Sequence, residues 1–136
     1  MEKLRVCAAS TIQTSFWGSG QAEFLKVHIT RLKELEDSLG FRLFWIDRPI
    51  SDQAEAAKAA AEARDRGADF LLVQSTTFAS GGTIIPFAQS GIPLGIWGIP
   101  EITDTGAIPY NSFCGLNMYA SIIRQYLGKN IPYKWF

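Results

Sequence analysis

The chain has 136 residues, nearly half of them apolar, and its thirteen basic side chains are balanced by thirteen acidic ones. That length supports one domain, residues 1–136, with a single real core. The charge balance argues against nucleic acid or a membrane surface as a partner, and no window is long and apolar enough to cross a bilayer.

The N-terminus carries no apolar stretch behind basic residues, so a secretory signal is not expected. A cytoplasmic protein with Cys7 and Cys114 as free thiols follows from that. Leu4 to Ala9 (LRVCAA) is an apolar run suited to a strand buried on both faces. Ser10 to Ser15 reads as a polar loop, closed by Gly18 and Gly20. Leu25, Ile29, Leu32 and Leu39 recur at helical spacing, and Gly40 stands where a C-cap glycine belongs. Phe41 to Asp47 is a second strand stopped by Pro49. Ser51 is the expected N-cap of an alanine-rich helix through Arg66, whose smooth face can approach a sheet closely.

Asp69 to Gln74 forms the third strand, followed by Ser75 to Phe78 and the Gly81-Gly82 pair. A short helix to about Gln89 tolerates Pro86 only in its first turn. Leu94 to Trp97 is the fourth strand, and a long polar loop runs from Ile99 to Ser112. Leu116, Tyr119, Ala120, Ile123 and Leu127 then mark a fourth helix, capped by Gly128, before an extended segment from Ile131 to Phe136.

Strands alternating with helices imply parallel βαβ units with right-handed crossovers. Five strands and four helices predict an α/β fold, a three-layer flavodoxin-like doubly wound parallel sheet in the order 2-1-3-4-5. A helix covering the fifth strand is missing, so Trp135 and Phe136 are expected to expose apolar surface that further domains or a second copy would cover.

In such a sheet a ligand lies outside the strand C-termini, where the strand order reverses. Three loops arrive there: Ser10 to Ser15, Ser75 to Phe78, and Ile99 to Ser112. Their hydroxyls, amides and aromatics suit a neutral polyhydroxylated ligand. Trp17 and Phe78 offer stacking faces, Gln13 and Asn111 offer hydrogen bonds, and Glu101 and Asp104 add carboxylates. The same residue types also cap helices and close turns.

Other chemistries are poorly served. His28, the one histidine, lies among Leu25, Ile29 and Leu32 and reads as a packed residue rather than a base. Zinc needs clustered His or Cys, and two carboxylates in one loop are too few for a hard cation. Cys114 at a helix N-terminus has no histidine near it in sequence. No dinucleotide or Walker glycine motif is present. A Ser/Thr-rich loop after strand one resembles the phosphate cradle of flavodoxins, but lacks the glycine that lets the backbone curl.

The pattern IWGIPE, a loop, then PYNSFCGLNMYASIIRQYLGK, with VQSTTFASGG and the closing YKWF, resembles the N-terminal domain of L-fucose isomerase-like and L-arabinose isomerase-like proteins. The resemblance covers essentially the whole chain and is most specific at Asn111 to Gly115. It implies a metal-dependent aldose–ketose isomerase, usually using manganese, whose metal ligands lie in later domains. No cofactor is implied for this chain itself. The N-terminal domain of that family walls the sugar pocket, typically of a neighbouring subunit, and takes part in oligomerisation. Arabinose isomerases place a Gln in the first loop, Thr-Phe after strand three and Gln-Ser-x-His-Gly after strand four. Gln13, Thr77, Phe78, Ser112 and Gly115 match, while Asn111 replaces the Gln and Cys114 replaces the His. The alternative expectation is a stand-alone flavodoxin-like module binding a nucleotide or another small polar ligand.

Overall fold

The computed structural model describes residues 2–128 and 130–136. Five parallel strands form one sheet in the order β2-β1-β3-β4-β5, as the alternation predicts. They are β1 (Leu4–Thr11), β2 (Phe41–Ile50), β3 (Phe70–Ser75), β4 (Leu94–Gly98) and β5 (Tyr133–Trp135). The helices are α1 (Ser19–Glu34), α2 (Glu36–Leu39), α3 (Gln53–Asp65), α4 (Ile84–Ala88) and α5 (Ser112–Ile122). The first predicted helix is therefore two pieces, broken at Leu35 and ended by Gly40 at φ 73°. A π-helical turn, Ile123–Leu127, extends α5 to Gly128.

Alternation along the strands divides the core. Cys7, Ala9, Ile46, Leu71, Val73, Leu94 and Ile96 face α3, α4 and α5 in the main cluster. Ala56, Ala59, Ala60 and Ala63 line the inner face of α3, and such small side chains let it sit close on the sheet. Ala8, Leu43 and Trp45 face the other way, against Leu25, Ile29 and Leu32 of α1, with Trp17 over them. Burial pushes the Cys7 thiol up to about 12, so it behaves as a small apolar side chain.

Three boundaries differ from the expectation. β1 continues through Ser10 and Thr11, because both pair with β3, opposite Gln74 and Ser75. β2 runs past Pro49 to Ile50; it is an edge strand whose register with β1 slips between Trp45 and Pro49, where a missing N–H is tolerated. Asp52, not Ser51, caps α3: its carboxylate accepts the Glu55 N–H at 2.8 Å, and Glu55 reaches back to the Ser51 N–H at 2.8 Å. Pro86 falls in the first turn of α4, behind a 3-10 turn at Gly81–Thr83.

At the other edge, β5 is short and carries Lys134, features that blunt strand pairing. Trp135 and Phe136 are nonetheless 63% and 59% exposed. Beside them, at the N-terminal ends of β3 and β4, lies an apolar groove of about 330 Å³ lined by Phe70, Pro93, Leu94, Pro132, Tyr133 and Phe136. Among the described residues Lys134 is the one charged group bordering it, so it suits packing rather than recognition of a polar ligand. We expect the protein to self-associate with concentration through this strip, and Trp135→Ser to weaken that association. A sedimentation coefficient of the unmodified chain that does not change with concentration would contradict this.

Candidate functional site

The three loops at the strand C-termini are tied to one another by backbone and hydroxyl hydrogen bonds. Thr11 C=O accepts the N–H groups of Thr76 at 3.1 Å and Thr77 at 3.4 Å, joining the loop after β3 to the end of β1. Gln13 N–H donates to Thr77 Oγ1 at 2.8 Å, and Phe78 N–H donates to Tyr110 C=O at 2.7 Å. The long loop therefore folds back over the end of β3.

Several residues singled out in the sequence form these ties. Thr77 is buried, and its hydroxyl also donates to Phe78 C=O at 3.0 Å. Ser112 is 1% exposed; its hydroxyl donates to Ser75 C=O and accepts the Ile99 N–H at 2.9 Å, clipping β3 to β4. Glu101 uses both carboxylate oxygens on the backbone, accepting Tyr110 N–H at 3.1 Å and Asn111 N–H at 2.6 Å. Those bonds hold Asn111 at φ 51°, a conformation asparagine tolerates better than most side chains. Asp104 is exposed on the loop.

The remaining candidates stand differently. Gln13, Phe78 and Asn111 are half-buried, and the side-chain amides of Gln13 and Asn111 make no hydrogen bond among the described residues. Trp17 is half-buried against the small core under α1. Cys114, the third residue of α5, is exposed and free, and Phe113 beside it is 52% exposed. Gly115 faces β3 so closely that a Cβ would collide with Ser75 Oγ.

Residues on α1 also reach this end of the sheet. Phe24 stacks on Tyr110 with ring centroids 5.2 Å apart, and meets His28 edge-on at 4.2 Å. His28 lies tilted against Trp97 of β4 at 5.1 Å, and its Nδ1 is 3.0 Å from Gln74 Nε2. Gln74, 2% exposed, accepts from Thr76 Oγ1 at 2.7 Å. His28 is thus packed, as its neighbours in sequence imply, yet it is packed at the rim. Phe24, Gln74, Trp97 and Tyr110 were not singled out from sequence; the one available signal was a glutamine inside an otherwise apolar strand.

Burial lowers the His28 pKa from its ordinary value. A histidine depressed in the folded state takes up its proton later than in the unfolded chain. Stability is therefore full above pH 6.5, falls as pH drops below it, and this contribution is gone once pH passes the folded pKa. His28→Gln should flatten that slope in urea titrations between pH 7 and pH 5. An unchanged slope would contradict it. Burial, with the Glu101 carboxylate second, raises the Tyr110 phenol, which stays protonated at neutral pH.

Among the described residues no three His, Cys, Asp or Glu side chains gather as metal ligands. With Glu101 engaged by backbone N–H groups and His28 Nδ1 by Gln74, the residues here do not fit a manganese centre. No helix among the described residues is long and apolar enough to cross a membrane. Compared with known proteins, the chain matches no family model and no curated protein.

Proposed function

We propose that this chain is a pocket-wall domain for a small neutral polyhydroxylated ligand, of the kind that walls the sugar site of L-fucose- and L-arabinose-type aldose–ketose isomerases, and that it is not catalytic alone. The observation that carries this reading is the fixed rim at the strand C-termini. Three loops cross-tied through Thr11, Thr77, Tyr110 and Ser112 carry the half-buried Gln13, Phe78 and Asn111, whose two side-chain amides have no partner among the described residues. Glu101 spends both carboxylate oxygens on backbone N–H groups, so the contacts left to a ligand are chiefly amides and aromatic rings, with Asp104 exposed on the same loop. Metal and general-base groups would come from other domains or from a second copy.

Each neutral contact at an open rim contributes about 1 kcal/mol. Binding to the isolated wall is therefore expected on the order of millimolar. The test is chemical-shift mapping with L-fucose and L-arabinose at high concentration. Saturable shifts at Gln13, Phe78 and Asn111 are expected; their absence, or shifts centred on the β5 groove, would sink the reading.

A further inference from the structure

We propose that His28 is a binding residue of this wall: its Nε2–H, fixed as one tautomer by Gln74 and Thr76, donates to an oxygen of the ligand laid against Trp97. The proposal rests on the pocket-wall reading and names the side of the rim that the ligand touches.

It begins with the buried amide of Gln74. Thr76 Oγ1 donates to Gln74 Oε1 at 2.7 Å, and Gln74 Nε2 then faces His28 Nδ1 at 3.0 Å. Turning the amide over would leave the hydroxyl proton of Thr76, a fully buried residue, without an acceptor among the described residues. Gln74 therefore donates and Nδ1 accepts, which puts the single proton of the neutral imidazole on Nε2. Nε2 has no hydrogen-bond partner among the described residues. It is not one of the buried unpartnered atoms, so it reaches solvent.

The surroundings say what it would meet. Strand register places Ser10, Gln74 and Trp97 in one row on the face that α1 covers. Ser10 is 1% exposed and its Oγ is unpartnered, so the row holds a second unmet hydrogen-bonding group next to the relay. Trp97, half-buried and 5.1 Å from the imidazole, supplies a flat apolar face for C–H groups. An imidazole whose exposed nitrogen carries the proton cannot ligate a cation there. Being neutral, it also gives an anion no counter-charge. A hydroxyl or carbonyl oxygen on an uncharged sugar fits both conditions.

The chain has one histidine, so its ring nitrogens give unambiguous signals in tag-free protein. Long-range proton–nitrogen correlation should show an unprotonated Nδ1 and a protonated Nε2 before any ligand is added. L-Fucose or L-arabinose should then move the Nε2 signal together with the Gln13, Phe78 and Asn111 amides. His28→Phe should weaken binding about fivefold, the loss of one neutral hydrogen bond, while His28→Gln, which keeps a donor near Nε2, should not. A proton on Nδ1 would overturn the proposal without any variant being made. Sugar shifts in the loops with Nε2 unmoved would overturn it and leave the pocket wall standing. No shift anywhere would end both.

Discussion

Gly115→Val should cost about 3 kcal/mol of stability, at the upper end of what overpacking a closed contact produces. Gly115 lies in the first turn of α5 and is buried against β3. A Cβ there would run into Ser75 Oγ and touch Phe78 Cα at 3.5 Å. Ser75 has nowhere to turn. It is fully buried, its hydroxyl lies 3.2 Å from Ser112 C=O and 3.3 Å from Thr77 C=O, and its own carbonyl accepts from Ser112. The start of α5 would have to back away from β3, and the Ser112 clip and the Ile99 bond would go with it. Since small domains are stable by about 5–15 kcal/mol, a loss of this size removes a large share. Urea unfolding measures it, with Gly20→Ala as the control. No atom lies within 4 Å of a Cβ at Gly20, so that change should be neutral or slightly stabilising. A Gly115→Val loss under about 1 kcal/mol would mean that the helix and strand approach less closely than described.

The strand order was readable because β3, β4 and most of β1 are apolar runs separated by helical periods, and the crossover rule leaves few topologies. The ends of strands were harder to read. Ser10 and Thr11 look like loop residues until β3 is known to pair with them, and Pro49 looks like a stop until β2 is known to be an edge. The candidate site was legible as a meeting of three loops more than as a set of contacts. Thr77, Ser112 and Glu101 drew notice for their chemistry, and the fold uses that same chemistry to close its loops. Residue type alone does not separate the two uses, because capping and ligand binding draw on the same oxygens. His28 and Trp97 sit 69 positions apart in sequence, and only the packing of α1 across β3 and β4 brings them together.

Tyr119→Ala should be about as damaging, costing on the order of 4 kcal/mol, as large aromatic truncations in cores do. The ring is fully buried in the main cluster. Its hydroxyl is 2.8 Å from Thr11 Oγ1 and 2.6 Å from Thr83 Oγ1, so it joins the end of β1 to the turn before α4. Burial raises the phenol pKa, and the two threonine contacts only partly oppose this, so the group stays a neutral hydroxyl. Truncation therefore removes the ring volume and one bond from each of two buried threonine hydroxyls, which keep only their bonds to the Gln74 and Ser80 carbonyls. Tyr119→Phe separates these effects: it keeps the volume and should cost only about 1–2 kcal/mol, the loss of the hydroxyl's bonds. Because Thr11 also carries the carbonyl that accepts Thr76 and Thr77, both variants should broaden amide signals in the loop after β3. Denaturant titrations of the pair give the comparison. If Tyr119→Phe lost as much as Tyr119→Ala, the hydroxyl ties rather than packing would be holding α5 to the sheet, contrary to the division of roles drawn from this core.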